Sequence, residues 1–211
     1  MRNRIVVVLG VVAIALALMA FFGPWWVFVS QSVGFGGTFT QTTEYDLFGW
    51  TISPWYGQSN TSDYSGLPNT GVVFSVGVML TVLGVLAGAG LVVVAVLPAP
   101  TPRLRQLGTF LGVFAFLLTL AAPLYTMAQL PAALTRDMEA AGFTYVPFSG
   151  FWGTTSTRAG SFGSVTYSWA AGWGWYALVA AAVLFEIGGI LLFRAKSPSA
   201  GQTAPKAARQ P

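Results

Sequence analysis

The sequence predicts an all-α membrane protein: a bundle of four transmembrane helices carrying a small β-hairpin-containing cap on its extracytoplasmic side. Three observations predict it. Of 211 residues, 55% are hydrophobic and only 8% are charged, against about 25% charged in an ordinary soluble domain. Four apolar stretches approach the roughly 20 residues that a membrane-spanning helix needs. Eight of the ten basic residues flank those stretches on a single side.

Residues 5–22 form the first expected span, after the basic start Met1-Arg2-Asn3-Arg4 and before Gly23, Pro24, Trp25 and Trp26. Tryptophans at that place suit an interfacial belt. A cleaved secretory leader competes, because Ala15-Leu16-Ala17 resembles a cleavage site. The apolar run continues to Phe22, beyond the roughly 7 to 15 residues of a leader's apolar core, so a span is the preferred reading.

Residues 27–70 make the first outer loop. Thr38-Phe39-Thr40-Gln41 alternates beside the turn Gly34-Phe35-Gly36-Gly37, which predicts a β-hairpin. Tyr45-Asp46-Leu47-Phe48-Gly49-Trp50 and Pro54-Trp55-Tyr56-Gly57 then set aromatics beside glycines, a composition suited to packing the hairpin on helix ends. Asn60-Thr61-Ser62 matches the glycosylation sequon, a short pattern that arises often by chance.

The second span is expected over 72–97. Gly84 and Gly88 stand in GxxxG spacing, which lets helices approach closely in lipid; packing within the bundle is preferred to a dimer contact. Pro98, Pro100 and Pro102 end the helix, and the short basic link forces an antiparallel return. The third span, over 107–130, contains Pro123 and is expected to kink there and to project beyond the bilayer through the charged stretch after Pro131.

A second outer loop, 131–170, should hold another hairpin, with 148–155 and 161–169 flanking Arg158-Ala159-Gly160. Phe151-Trp152-Gly153 and Phe48-Gly49-Trp50 fall in matching places of the two halves, which is compatible with an internal repeat. The fourth span covers 173–193 and closes on Arg194. The polar tail 195–211 is expected to be disordered and cytoplasmic.

Arg2, Arg4, Arg103, Arg105, Arg194, Lys196, Lys206 and Arg209 all fall on one side, the cytoplasm by the positive-inside rule. Arg136 and Arg158 lie opposite, with Glu44, Asp46, Asp63, Asp137 and Glu139. The expectation is a multi-pass cell-membrane protein with both termini cytoplasmic. The net charge of +4 is explained by this topology and calls for no nucleic acid.

The chain has neither cysteine nor histidine. That removes thiol nucleophiles, disulfides, the usual zinc and haem ligands and the commonest general base. No cofactor, metal site or catalytic residue is expected, and the protein is read as not an enzyme. Glu44 with Asp46, and Asp137 with Glu139, are paired carboxylates that need not converge, and they read as solvated surface. Were they gathered at the outer interface, an enzyme acting on lipid would become conceivable.

Glu186 is the intramembrane polar site. It lies eight residues inside Arg194, roughly 12 Å along a helix. An ionised carboxylate there is costly, and the expectation is a neutral acid that donates a hydrogen bond to a neighbouring helix. The competing reading is a proton or cation relay. Against it, no other span offers an ionisable group.

Four spans with inner termini, a β-rich first outer loop, Pro24-Trp25-Trp26 after the first span and Phe48-Gly49-Trp50 later resemble the claudin-like tetraspan proteins. The likeness covers the topology and the first loop, with Trp26 and Trp50 at the places of that family's tryptophans. The triplet here differs, the second loop is longer and the family's paired cysteines are absent. The resemblance implies lateral assembly or adhesion through β-loops.

The functional expectation is a non-enzymatic scaffold, assembly or accessory subunit. Its partners would be the lipid bilayer and other membrane proteins or further copies of itself. Trp25, Trp26, Trp50 and Trp152 are the candidate outer-loop aromatic contacts. The alternative is a small transporter or proton-coupled channel component that uses Glu186.

Overall fold

The computed structural model describes residues 2–34, 37–54, 56–98, 100–142, 148–158 and 163–194. Its elements run α1 (Arg2–Met19), β1 (Trp26–Gly34), β2 (Gly37–Tyr45), β3 (Gly49–Ser53), β4 (Asn60–Asp63), α2 (Pro68–Val96), α3 (Pro102–Ala140), β5 (Gly153–Arg158), β6 (Ser164–Ala171) and α4 (Trp173–Phe193). The expected tail, 195–211, and the turn centre at 35–36 lie outside the described residues.

The all-α expectation is corrected by the sheet. Six antiparallel strands in the order β4-β3-β2-β1-β6-β5 hold 23% of the described residues. The segment between α1 and α2 supplies four strands and the segment between α3 and α4 supplies two. They do not form separate hairpins, because β1 pairs with β6 from Trp26↔Ala171 to Val33↔Ser164. A sheet of this size satisfies the peptide groups of both segments in one ladder, which two isolated hairpins would leave open at their edges.

Strand alternation gives this sheet two unlike faces. The paired register puts Trp26, Phe28, Tyr45, Trp50, Tyr167 and Trp169 on one face. Thr40, Thr42, Thr51, Thr166 and Ser168 lie on the other. Phe148 seals the aromatic face, with its ring 5.2 Å from Trp26, 5.4 Å from Phe28 and 5.6 Å from Trp169.

Three helices, α2, α3 and α4, are long and apolar enough to cross a membrane. The fourth expected span, α1, is shorter and is not among them: it has 18 residues, about 27 Å of helix against a hydrocarbon core of about 30 Å. It stops at Met19 because the chain turns through Ala20–Phe22 into Gly23 and Pro24, and the Trp25 indole donates to the Ala20 carbonyl at 2.8 Å. By contrast α3 has 39 residues and stays helical through both Pro123 and Pro131.

The four helices pack side by side, with α1 and α3 each against both α2 and α4. Every connection at one end of this helical body, from α1, into α2, from α3 and into α4, passes through the sheet. Buried Thr81, Thr119 and Thr126 donate to carbonyls four residues back, Gly77, Ala115 and Ala122. Their hydroxyls are therefore satisfied within their own helices and leave the interfaces apolar.

Gly84 and Gly88 lie inside this packing. A β-carbon on Gly84 would stand 3.1 Å from the Thr119 backbone nitrogen, and one on Gly88 would overlap the Phe185 ring. The spacing thus serves α2 against α3 and α4.

Candidate functional site

The polar chemistry of the chain gathers where the sheet meets the helix ends. Pro68 opens α2, and the preceding Leu67 has no side-chain acceptor for the first amides. Asp137, near the C-terminal end of α3, fills that role. Its Oδ1 accepts from the Asn69 amide at 3.0 Å and from Asn69 Nδ2 at 2.6 Å, and its Oδ2 accepts from the Thr70 amide at 2.8 Å.

Asp137 is 2% exposed, so the expectation of a solvated carboxylate is corrected. Burial pushes its pKa up, but the Thr70 and Asn69 hydrogen bonds outweigh that and hold the carboxyl below the usual range. Its expected companion Glu139 is exposed, as is Glu44, while Asp46 is half-buried. The Asp46 Oδ1 accepts from the Phe48 and Gly49 amides at 2.7 and 2.8 Å and shapes the β2–β3 turn. Among the described residues no three acidic side chains group as a metal site.

Tyr64 locks that turn to the start of α2. Its hydroxyl lies 2.5 Å from the Asp46 carbonyl and 2.6 Å from the Gly49 carbonyl, and its one proton serves both. Its ring stacks on Phe74 with centroids 5.1 Å apart. Burial, then the charge of Asp46, raises the Tyr64 pKa, and burial raises that of Tyr45. Both phenols stay neutral.

Trp25 and Trp26 are fully buried. Trp26 Nε1 donates to the Phe151 carbonyl at 2.8 Å and ties the first outer segment to the second. Trp169 donates to the Gly150 carbonyl at 2.8 Å within the second segment, and Trp175 reaches across to the Pro123 carbonyl at 2.9 Å in α3. Trp152 is 46% exposed and meets the Phe151 and Trp175 rings edge-on. Of the four predicted aromatic contact residues, Trp152 is the one open to a partner.

Trp50 is half-buried, and its Nε1–H is buried without an acceptor. It lines a partly enclosed cavity of about 340 Å³ between the aromatic face of the sheet and Leu67, Met138 and Ala141. No property of the residue order foretold this cavity. A second, more open cleft of about 450 Å³ lies beside Phe48, Tyr64 and Ser75.

Glu186 sits in α4, half-buried, and its Oε2 has no hydrogen-bond partner. The residue stands about 60° around the helix from Gly189, whose β-carbon position meets Gly112 and the Thr109 carbonyl of α3. The carboxyl therefore lies on the α3 flank. Neither of the two cavities is lined by it.

No family model matches the chain, and no curated protein resembles it significantly in sequence.

Proposed function

We propose that this membrane protein is a non-enzymatic scaffold or accessory subunit that presents a rigid β-cap on the outer side of the membrane. In this reading α1 crosses with the other helices, its short span completed by the turn through Phe22. Both termini are then cytoplasmic, as the flanking arginines favour. The observation that carries the reading is the β1–β6 pairing, which makes one sheet of both outer segments. Such a cap is held at four helix ends and offers a broad hydroxyl-rich face, while its aromatics serve internal packing. The claudin-like resemblance belongs to the same proposal, with Trp26 and Trp50 on the inward face.

Cross-linking in native membranes followed by purification in mild detergent tests it. The expected result is a defined complex, with a membrane protein or with further copies, that is lost when Thr42 and Thr166 on the hydroxyl face are changed to arginine. Recovery of a monodisperse monomer without any cross-linked partner would refute it.

Glu186 supports a second reading, a small proton-coupled transport component, because a carboxylate oxygen buried without a partner in a membrane helix is costly unless it serves a titrating or binding role. Glu186→Gln in a proteoliposome flux assay should abolish transport. Unchanged flux removes this reading.

A further inference from the structure

We propose that the end of the helical body away from the sheet binds anionic phospholipid of the adjoining leaflet through Arg4, Arg103 and Arg194. Each of these arginines heads an exposed apolar stripe. On α3, Arg103, Leu107 and Phe110 follow at i, i+4 and i+7 and are all exposed, so they share one side of the helix. That side is opposite Gly108 and Gly112, which meet α2 and α4. On α4, Arg194, Ile190 and Ile187 repeat the spacing and the exposure, opposite Phe185, whose ring meets the position of Gly88 in α2. On α1, Arg4, Val8 and Val11 do so again, opposite Val6 and Gly10, which meet α4 and α2.

Both α3 and α4 are long and apolar enough to cross a membrane, and α1 enters as the span proposed above. An exposed apolar stripe on such a helix faces acyl chains, and a guanidinium at its end reaches the level of the phosphates. The acidic residues then decide which headgroup fits. Of the chain's six, Glu44, Asp46 and Asp63 lie between α1 and α2, and Asp137 and Glu139 lie near the C-terminal end of α3, all toward the sheet. Glu186 is eight residues inside Arg194, roughly 12 Å along the helix. The ammonium of a zwitterionic headgroup would therefore find no aspartate or glutamate at this end. An anionic headgroup brings a phosphate without that ammonium, and the arginine fork matches phosphate geometry. The positive-inside rule places basic residues on one side of a membrane; it does not require that each crown a lipid-facing stripe.

The test is electron spin resonance of spin-labelled phosphatidylglycerol and phosphatidylcholine in phosphatidylcholine liposomes that hold the full chain. Phosphatidylglycerol should associate about fivefold more strongly, the effect of one arginine beside the headgroup, and the preference should weaken in salt. Changing Arg4, Arg103 and Arg194 together to glutamine should remove most of it, whereas changing all three to lysine should keep most of it. The pair Arg136→Gln and Arg158→Gln, at the sheet end, should leave it intact. If Arg103→Gln and Arg194→Gln each weaken the preference and Arg4→Gln does not, Arg4 and the span reading of α1 are removed while the sites on α3 and α4 stand. Equal association of the two lipids overturns the proposal, as does a preference that survives the triple glutamine variant or is lost with the sheet-end pair.

Discussion

Asp137 accepts the Thr70 amide at 2.8 Å from 67 residues away and so caps α2 from the end of α3. Helix starts are usually capped by the residue just before them, and here that residue is Leu67, which has nothing to offer. The cap is therefore also a tertiary clamp. Asp137→Ala should lower stability by about 1–3 kcal/mol, combining a lost cap with buried amides left unpaired. Thermal unfolding in detergent reads this, and Asp137→Asn, which keeps an acceptor, should recover part of it.

The same carboxylate sets a pH dependence. Its folded pKa lies below the unfolded value, which is about 3.9 for aspartate. Its contribution is thus complete above that value and is lost as the pH falls through the folded one. Stability of the native chain relative to Asp137→Asn should be constant from pH 7 to about 5 and should shrink only at stronger acid, below about pH 4. A difference that shrinks already near neutrality would contradict the cap.

The sheet register predicts a specific cross-link. Val29 and Ser168 are paired on the same face of β1 and β6, and the natural chain has no cysteine to compete. A Val29→Cys, Ser168→Cys double variant should form a disulfide under mild oxidation. Val29→Cys with Tyr167→Cys should not, because the two side chains point to opposite faces. Cleavage between α2 and α3 followed by non-reducing electrophoresis distinguishes them.

Gly84 and Gly88 predict a packing effect without an assembly effect. Both face neighbours within the chain, Thr119 and Phe185. Gly84→Val or Gly88→Val should destabilise by about 1–3 kcal/mol through overpacking. Oligomeric state in nanodiscs, measured by mass photometry, should be unaltered; a change confined to association would place these glycines on an outer surface.

What the residue order disclosed follows the range of the interactions involved. Apolar length marks α2, α3 and α4, since each buries its own backbone hydrogen bonds locally. The β1–β2 pairing was legible too, because Gly34-Phe35-Gly36-Gly37 reads as a turn sequence and Thr38-Phe39-Thr40 alternates. The β1–β6 ladder joins segments at opposite ends of the chain, and nothing local in either strand specifies that partner. Asp137 looked solvated beside Glu139, yet one signal pointed elsewhere. Leu67-Pro68 is a helix start with no acceptor of its own, so an acceptor had to come from another element. At Trp25 and Trp26 the aromatic cluster was visible, but its burial depended on the second outer segment closing over it.

Trp26 is where that closure can be broken. Its Nε1 donates to the Phe151 carbonyl across 125 residues, and its ring meets Tyr45 at 5.4 Å and Phe148 at 5.2 Å. Trp26→Phe keeps much of the aromatic packing but leaves the Phe151 carbonyl without this donor, which costs about 1–3 kcal/mol. Trp26→Ala also empties a large fully buried volume and should cost about 3–5 kcal/mol. The loss has a location as well as a size. Because the bond joins the two outer segments, hydrogen exchange should quicken first in β5 and β6, while α2 and α3 keep their protection. Uniform loss of protection across sheet and helices would mean instead that cap and helices unfold as one cooperative unit.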